Sequence, residues 1–265
     1  MIRVFVEGVG LRGPGLCGWP ASRVVLAGSE AYRSAPTVVP PGELLPPAER
    51  RRTPNSVKLA LAVGQEALIS SGRDAESVAT AFATSSGDGD TLHQMCETLA
   101  SAAREVSPTR FHNSVHNAAA GYWGIATRCH EASTSLCGHD SSFAVGLLEA
   151  VVQVAMEDKP VALIVYDQPY PEPLYSVRPI SATFGLALVL APRAAARGFA
   201  ALAVEYIPET AAATTMSDPG LEALRLGGPP ARGLPLLAVL ARGATAAVAI
   251  DYLSLAHLRI RVDPC

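Results

Sequence analysis

Residues 133–158 read STSLCGHDSSFAVGLLEAVVQVAMED, and this stretch decides the fold. Its opening STSLC predicts a short buried strand, GHD a tight polar turn, and the remainder a helix that is apolar on nearly every side. A helix that is apolar all round lies inside a protein rather than on its surface. Asp140, followed by Ser141 and Ser142, has the chemistry of a helix N-cap.

The predicted turn places a side chain at the positive end of a central helix. Free N–H groups and partial positive charge at such an end stabilise a nucleophile, an anion or a carboxylate. Enzymes with α/β folds often place a reactive residue at a strand-to-helix turn of this kind. The sequence therefore raises the question of whether Asp140 takes part in chemistry.

The composition predicts a globular protein and excludes several functional classes. The chain has 265 residues, of which 49% are hydrophobic and 17% charged, so it can bury a large core. A formal net charge of −3 gives no basic footprint for nucleic acid. The five cysteines are scattered without CxxC spacing, which argues against a disulfide framework or zinc site and fits a reducing cytoplasm. We expect no metal, no cofactor, no signal peptide and no membrane span.

The order of predicted elements indicates an α/β layered domain. Strands and helices alternate, which predicts a mostly parallel central sheet with helices on both faces, followed by a strand-rich C-terminal end. The strands at 181–190 and 199–207 have a short connection and are expected to run antiparallel to each other. The other predicted strands lie at 2–7, 77–84, 160–166 and 257–262, and the other helices at 53–72, 91–104 and 114–129.

Two further motifs have an ordinary and a functional interpretation. The sequence SSGDGD at 85–90 has the small residues of a strand-to-helix turn, but it lacks the GK[ST] ending of a phosphate loop and the acidic spacing of an EF-hand. The arginines at 50–52 follow a proline-rich loop. They are either solvent-exposed residues that precede a helix, which is the interpretation we favour, or a contact site for an anionic partner.

Taken together, these segments resemble the N-terminal half of a β-ketoacyl synthase, a condensing enzyme with the thiolase-like fold. The resemblance covers residues 2–207 and rests on the order of the segments. They are the glycine-rich loop after the first strand with Trp19, the helix after the arginines at 50–52, the turn at 85–87, the helix with Asn117, the turn at Asp140 and the strand with Phe184 and Gly185. It implies a synthase-like domain over residues 1–207, with residues 208–265 as a divergent extension packed on the same domain.

The resemblance places an aspartate where the family carries its nucleophile. Ketoacyl synthases hold a cysteine in an Ala-Cys-Ser-Ser type motif at the start of the central helix. Aligning Asp140-Ser141-Ser142 with that motif puts Asp140 at the position of the nucleophilic cysteine. The alternative is that Cys137 occupies that position. A carboxylate does not form a stable acyl intermediate as a thiolate does. The family's two catalytic histidines also lack counterparts here, because His257 is the only histidine after Asp140. We expect no catalytic residue.

Cysteine-less members of the family resemble chain-length factors, which pair with an active synthase. The sequence SPTRFHNSVHNAAAGYW, followed by STSLC, most resembles the short synthase-like subunits of bacterial aryl polyene pigment pathways. By that resemblance, the partner is a full-length ketoacyl synthase in a heterodimer, and the substrate is an acyl chain on an acyl carrier protein. The anionic partner of the arginines at 50–52 would then be the acidic helix or the phosphopantetheine arm of that carrier protein.

Several residues are predicted to line a pocket or to anchor a subunit contact. The aromatic pair Tyr122 and Trp123 forms either an interface anchor or part of the core. Histidines near asparagines are most often structural hydrogen bonders. The predicted pocket, or pseudo-active site, contains His112, His116, Asn117, His139, Asp140, Ser141 and Ser142.

Three functional hypotheses remain open from the sequence. The first is a non-catalytic synthase-like subunit that shapes the pocket for a growing chain. The second is a small acyltransferase or thioesterase-like enzyme that acts on carrier-protein thioesters through Cys137 or Asp140, paired with His139. The third, which has the least support, is a structural homodimer.

Overall fold

A computed structural model describes residues 1–196 and 198–265, and within them nine strands form one mixed sheet. The strands are β1 (Ile2–Gly13), β2 (Leu16–Cys17), β3 (Ala79–Ala83), β4 (Ser133–Leu136), β5 (Val161–Asp167), β6 (Phe184–Ala191), β7 (Ala200–Ile207), β8 (Ala246–Tyr252) and β9 (Ala256–Pro264). The helices are α1 (Trp19–Leu26), α2 (Pro47–Arg52), α3 (Asn55–Ser71), α4 (Gly89–Ala100), α5 (Pro108–Ser114), α6 (Ala118–Thr127), α7 (Ser142–Glu157), α8 (Leu174–Val177), α9 (Pro219–Gly227) and α10 (Leu234–Arg242).

One part of the sheet contains parallel strand pairs, and the remainder is an antiparallel extension. Its order is β4-β3-β5-β6-β1-β7-β9-β8, with β2 attached to β1. Strand β3 pairs in parallel with β4 and β5, whereas β6 pairs antiparallel with both β5 and β1. Strands β4, β3, β5 and β1 therefore point one way and β6 the other. Beyond β1, antiparallel pairing continues through β7, β9 and β8.

Helices cover both faces of the core sheet, so the sequences of its inner strands are continuously apolar. Every residue of β5 and β6 is buried. Alternate β5 side chains enter two cores: Leu163 packs in the core that contains α7 and α10, and Ile164 packs in the core that contains α3 and α6. This arrangement confirms the predicted layered α/β fold with helices on both faces and a strand-rich C-terminal end.

Three details of the predicted sheet and central helix are wrong. Strands β6 and β7 run in the same direction rather than antiparallel, because β1 lies between them and pairs antiparallel with both. Strand β4 is the sheet edge and is not fully buried, since its short polar sequence suits an edge. Helix α7 is buried along one side, but Val152 and Met156 near its C-terminal end are exposed.

Residues 208–265 complete the same hydrophobic core as the N-terminal segments. They supply α9, α10, β8 and β9, and β9 continues the sheet by pairing with β7 along its length. Leu237 of α10 and Ile260 of β9 lie in one core cluster with Val4 of β1 and Leu147 of α7. Helix α7 is therefore positioned by both parts of the chain. Across the described residues, the helices include none with the length and apolarity that crossing a membrane requires.

Candidate pseudo-active site

The candidate site lies where the parallel strands β4, β3 and β5 end. The carboxyl ends of parallel strands meet at one edge, which is where α/β folds place ligand sites. The segments that leave this edge are the turn from Cys137 to Asp140 after β4, residues 84–88 after β3, and Asp167, the last residue of β5. Chain topology thus brings three separate polar segments together.

The turn after β4 differs in detail from the predicted helix cap. A single 3-10 turn spans His139–Ser141, and α7 then begins at Ser142, so the N-cap residue is Ser141. The Ser142 hydroxyl donates to the His139 carbonyl (2.7 Å) and accepts from the Gly138 N–H (3.2 Å). The prediction that Asp140 caps the helix is wrong, because the inserted 3-10 turn moves the helix start and Ser142 closes the turn locally.

The two charged side chains of this turn are exposed. His139 has a left-handed backbone with φ of 54°, a conformation that is uncommon for residues other than glycine. Its Nδ1 lies 3.7 Å from the Asp140 carboxylate, which also accepts a hydrogen bond from Arg178 at 3.0 Å. More than half of each side chain is exposed (71% for His139 and 57% for Asp140), and exposed ion pairs add little stability. The turn therefore presents a solvated charge cluster.

Cys137 is an exposed free thiol at the same edge. Its Sγ donates to the Ser85 carbonyl at 3.2 Å, so the thiol is held as a proton donor. Among the described residues, no imidazole or carboxylate hydrogen-bonds to this sulfur. An activated thiol nucleophile needs such a base or another group that stabilises the thiolate.

Asp167 is a buried acid that sequence reasoning did not select. It is 1% exposed and accepts hydrogen bonds from the Thr84 hydroxyl (2.7 Å) and the Ser85 N–H (3.0 Å). Burial raises the pKa of Asp167 to about 6, and the hydrogen bonds from Thr84 and Ser85 oppose that rise. In the sequence, Asp167 could have been recognised as an acidic residue at the end of a continuous apolar run.

The SSGDGD motif forms a buried cap for α4. Asp88 accepts from the Thr91 N–H (2.7 Å) and from the Ser56 hydroxyl (2.5 Å). Gln168 donates to both Asp88 (3.3 Å) and Asp90 (3.2 Å), and burial followed by repulsion from Asp88 raises the pKa of Asp90. These contacts account for the motif as the strand-to-helix turn. Across residues 1–196 and 198–265, no three His, Cys, Asp or Glu side chains are grouped to hold a metal ion.

His112, one of the histidines predicted to line the pocket, lies in a cavity that Asp140 does not line. His112 packs edge-on against Tyr122, with ring centroids 5.7 Å apart, and lines a separate cavity of about 290 Å³ together with Glu49 and Arg52. His116 lies beside Gly87 of the turn after β3, and Asn117 precedes α6 without capping it through its side chain. The structure thus does not bring His112 and Asp140 together as an acid–base pair.

Tyr122 and Trp123 belong to the core of the chain. They are 1% and 2% exposed, the Tyr122 hydroxyl donates to Asn113 (2.9 Å), and Trp123 packs edge-on against Phe82. Fully buried side chains have no surface to offer a second subunit. The interface role predicted for them is therefore corrected, and the interpretation as core aromatics applies.

A cavity of about 270 Å³ adjoins the turn and is built largely by residues 208–265. Asp140 and Ser141 form one wall, and the Ser141 hydroxyl accepts from the Leu253 N–H of the β8–β9 hairpin (2.9 Å). The cavity is also lined by Arg225, which is buried and paired with Glu222, and by Arg232. Sequence reasoning missed both arginines, because no motif links them to the turn.

Comparison with solved structures identifies the fold. The chain is similar to the ketosynthase ApeO in complex with its chain length factor ApeC from Xenorhabdus doucetiae, with a TM-score of 0.73, 20% identity, and coverage of 98% of this chain and 100% of that chain. It is also similar to the ishigamide ketosynthase/chain length factor, with a TM-score of 0.74, 15% identity, and coverage of 100% and 99%. A β-ketoacyl synthase from Burkholderia phymatum STM815 gives a TM-score of 0.62, 14% identity, and coverage of 91% and 71%.

Sequence comparison identifies the family. No curated protein matches the chain at a significant level. The family model described as the β-ketoacyl synthase N-terminal domain matches residues 27–226, which include β3 to β7, the Asp140 turn and all but the last residue of α9. The predicted resemblance is therefore confirmed, and the chain belongs to the β-ketoacyl synthase family.

Proposed function

We propose that the chain is a non-catalytic ketoacyl-synthase-like subunit, a chain-length factor, which pairs with an active ketoacyl synthase and shapes the pocket for a growing acyl chain. The observation that carries the proposal is the chemistry at the head of α7. The turn there presents the exposed Asp140 carboxylate, and the nearby Cys137 thiol donates to a backbone carbonyl instead of contacting a base. Neither group is set up for acyl transfer.

The setting we propose is type II polyketide or aryl polyene pigment biosynthesis in the cytoplasm. Two of the similar structures contain a ketosynthase and a chain length factor, and a third, AntDE:AntF, contains a type II acyl-carrier protein with its ketosynthase. By analogy with those assemblies, the partners of this chain are a full-length ketoacyl synthase, in a heterodimer, and an acyl carrier protein.

An exposed apolar face supports a protein partner. Helix α4 buries only its first turn, and Leu92 and Leu99 are about half exposed on its outer side. Phe111 of the adjacent α5 is 63% exposed, and Val115 after α5 is also exposed. The edge strand β4 contacts α6, which in turn contacts α5, and β4 leaves one row of backbone groups unpaired within the described chain. We expect this surface, formed by α4, α5 and β4, to contact the synthase.

Co-purification with a ketoacyl synthase from the same organism tests the pairing. The unaltered chain should elute with the synthase as a heterodimer, and Leu92→Asp with Leu99→Asp should abolish the complex because charges would enter an apolar contact. The control is Ile69→Asp, which places a charge on an apolar residue of α3 that is more exposed (71%) than either leucine and should leave the complex intact. Failure of the unaltered chain to bind would contradict the proposal.

Mass spectrometry after incubation with acyl carrier protein substrates tests the lack of catalysis. The isolated chain should acquire no acyl group, while an active synthase treated in parallel should be acylated. A stoichiometric adduct on this chain would reject the non-catalytic assignment.

The alternative enzyme hypothesis has one observation in its favour, the exposed Cys137 thiol near the head of α7. Mapping with iodoacetamide separates the two functions. Labelling of Cys137 much faster than that of the exposed Cys17 would indicate an activated thiolate and favour a small acyltransferase or thioesterase. We expect the two cysteines to react at similar rates.

A further inference from the structure

We propose that the synthase contact extends beyond α4, α5 and β4 to an apolar rim at the strand-end edge. The rim is formed by Leu174, Tyr175 and Val177 of α8 and by Leu253 and Leu255 of the β8–β9 turn. Its role depends on the proposed pairing with a ketoacyl synthase. The rim brings two elements from distant parts of the chain into the docking surface.

The rim consists of apolar side chains that the fold leaves exposed. Helix α8 buries none of its residues, and Val177 is 79% exposed. Leu253 and Leu255 are 57% and 76% exposed. Single exposed apolar residues are ordinary on a protein surface, but a contiguous group of them marks an interaction site.

The β8–β9 turn has an unusual sequence for its shape. Tyr252 pairs with Ala256, so the two strands are joined by only three residues, 253–255. Turns this tight favour glycine, asparagine and aspartate. Leu253 nevertheless holds a left-handed backbone there, with φ of 52°. Such strained positions are concentrated at functional sites, which favours a binding role for the exposed leucines.

Two hydrogen bonds attach both elements to the head of α7. Arg178, which follows α8, donates to the Asp140 carboxylate (3.0 Å), and the Leu253 N–H donates to the Ser141 hydroxyl (2.9 Å). Because Asp140 and Ser141 are consecutive, α8 and the turn flank the same point of the strand-end edge. The rim is therefore one local surface.

The rim adjoins the surface formed by α4, α5 and β4. The segment between β5 and α8 lies against the start of α4, since a Cβ added to Gly89 would lie 2.7 Å from the Tyr170 ring and Gln168 donates to Asp90 (3.2 Å). In addition, β4 leads directly into the turn that carries Asp140. A partner that lies on α4 and β4 therefore meets the rim at the border of its contact.

The area that a permanent complex requires favours the synthase as the occupant of the rim. Such a complex buries at least about 1,000 Å² on each partner, of which roughly 650 Å² is apolar. At about 100 Å² for each large side chain, the four exposed apolar residues from Leu92 to Val115 supply about 400 Å². The five rim residues raise this area to about 900 Å², which is enough.

Binding measurements with a rim variant test this role. Titration calorimetry with a ketoacyl synthase from the same organism gives the Kd of the unaltered chain and of Leu255→Asp, whose high exposure makes a folding defect unlikely to arise. We expect the Kd of the variant to rise at least about tenfold, because a charge would enter an apolar contact. An unchanged Kd would overturn the role of the rim and leave the pairing with the synthase in place.

The control for this measurement is Ile69→Asp. Ile69 has similar exposure (71%) and lies near the end of α3, the helix that leads into β3, so it is at the opposite edge of the sheet. This variant should bind the synthase as the unaltered chain does. Failure of the unaltered chain itself to bind would contradict the pairing, and the role of the rim would fail with it.

Hydrogen–deuterium exchange of the unaltered chain gives a test without substitutions. Amides of residues 174–178 and 252–256 should exchange more slowly when the synthase is bound, whereas those of residues 66–72 should not change. Binding without protection of the rim would place the synthase elsewhere and overturn the proposal. Protection that appears in the chain alone as its concentration rises would assign the rim to a second copy, and it would also overturn the proposal.

Discussion

Burial determines how Asp167 contributes to stability at different pH values. Because its pKa is about 6 in the fold and 3.8 ordinarily, the folded chain binds a proton between these values that the unfolded chain does not. The free energy of unfolding therefore falls as pH rises from about 4 through 6. A pKa difference of about 2, at roughly 1.4 kcal/mol for each unit, corresponds to a loss of about 3 kcal/mol.

Urea unfolding of Asp167→Asn should reveal that loss. Asparagine can keep the acceptor bond to Thr84 without a buried charge, so the variant should gain stability over the unaltered chain between pH 4 and 7, by up to about 3 kcal/mol. Asp140→Asn, at an exposed position, should change stability by no more than about 0.5 kcal/mol. A difference between Asp167→Asn and the unaltered chain that does not vary with pH would refute this prediction.

The buried Tyr122 hydroxyl gives a second prediction for a single residue. It donates to Asn113, whose amide in turn donates to the carbonyl of Arg52 at 2.8 Å. Tyr122→Phe removes one hydrogen bond and should cost about 1 kcal/mol. Asn113→Ala leaves two polar groups without this partner and should cost more, about 1–3 kcal/mol. Thermal unfolding measures both, and equal stability of all three proteins would contradict the assignment.

At the scale of elements, glycine allows α7 to lie close to the sheet. A Cβ at Gly146 would lie 2.8 Å from Ala83 Cβ and 2.9 Å from Leu163 Cδ1. The same addition at Gly121 of α6 meets nothing within 4 Å. Gly146→Ala should therefore destabilise the chain by about 1–3 kcal/mol through overpacking. Gly121→Ala should stabilise it by up to about 1 kcal/mol through helix propensity, and chemical denaturation distinguishes the two outcomes.

Periodicity and apolar runs predicted the elements that are buried on both sides. Strand β5 and helix α3 were recognised in this way, because continuous apolar content or a helical apolar face leaves few alternatives. Helix α5 is absent from the predicted helices, because its seven residues are mostly polar and only one of them is buried. The partner of each strand was not predictable locally, so the position of β1 between β6 and β7 was missed.

At the scale of the whole molecule, residues 208–265 should be indispensable for folding. A chain that ends at Ile207 would lose β9, the strand paired with β7, and would expose Leu202 and Val204 of the shared core. We expect this fragment to aggregate or to lose cooperative unfolding, which size-exclusion chromatography and circular dichroism can test. A monomeric fragment with a sharp unfolding transition would show that residues 1–207 form an independent domain.

The candidate site was predictable only in its central turn. The strand-to-helix signal around Asp140 located the head of α7, because that signal is local in sequence. Asp167, Arg225 and Arg232 reach the same region from distant segments, and their convergence depends on sheet order and on packing of residues 208–265. Histidines at 112 and 116 were included by residue type, but His112 lies in another cavity.

The position of β1 also has a consequence for biosynthesis. This strand begins at Ile2, yet its two long neighbours are β6 and β7, which begin at Phe184 and Ala200. While the ribosome makes the intervening residues, the nascent chain carries an apolar strand whose long edges have nothing to bind. Such distant pairings fold slowly and leave segments open to misassociation. Yield in cells should therefore depend on chaperones that shield the first strand during translation.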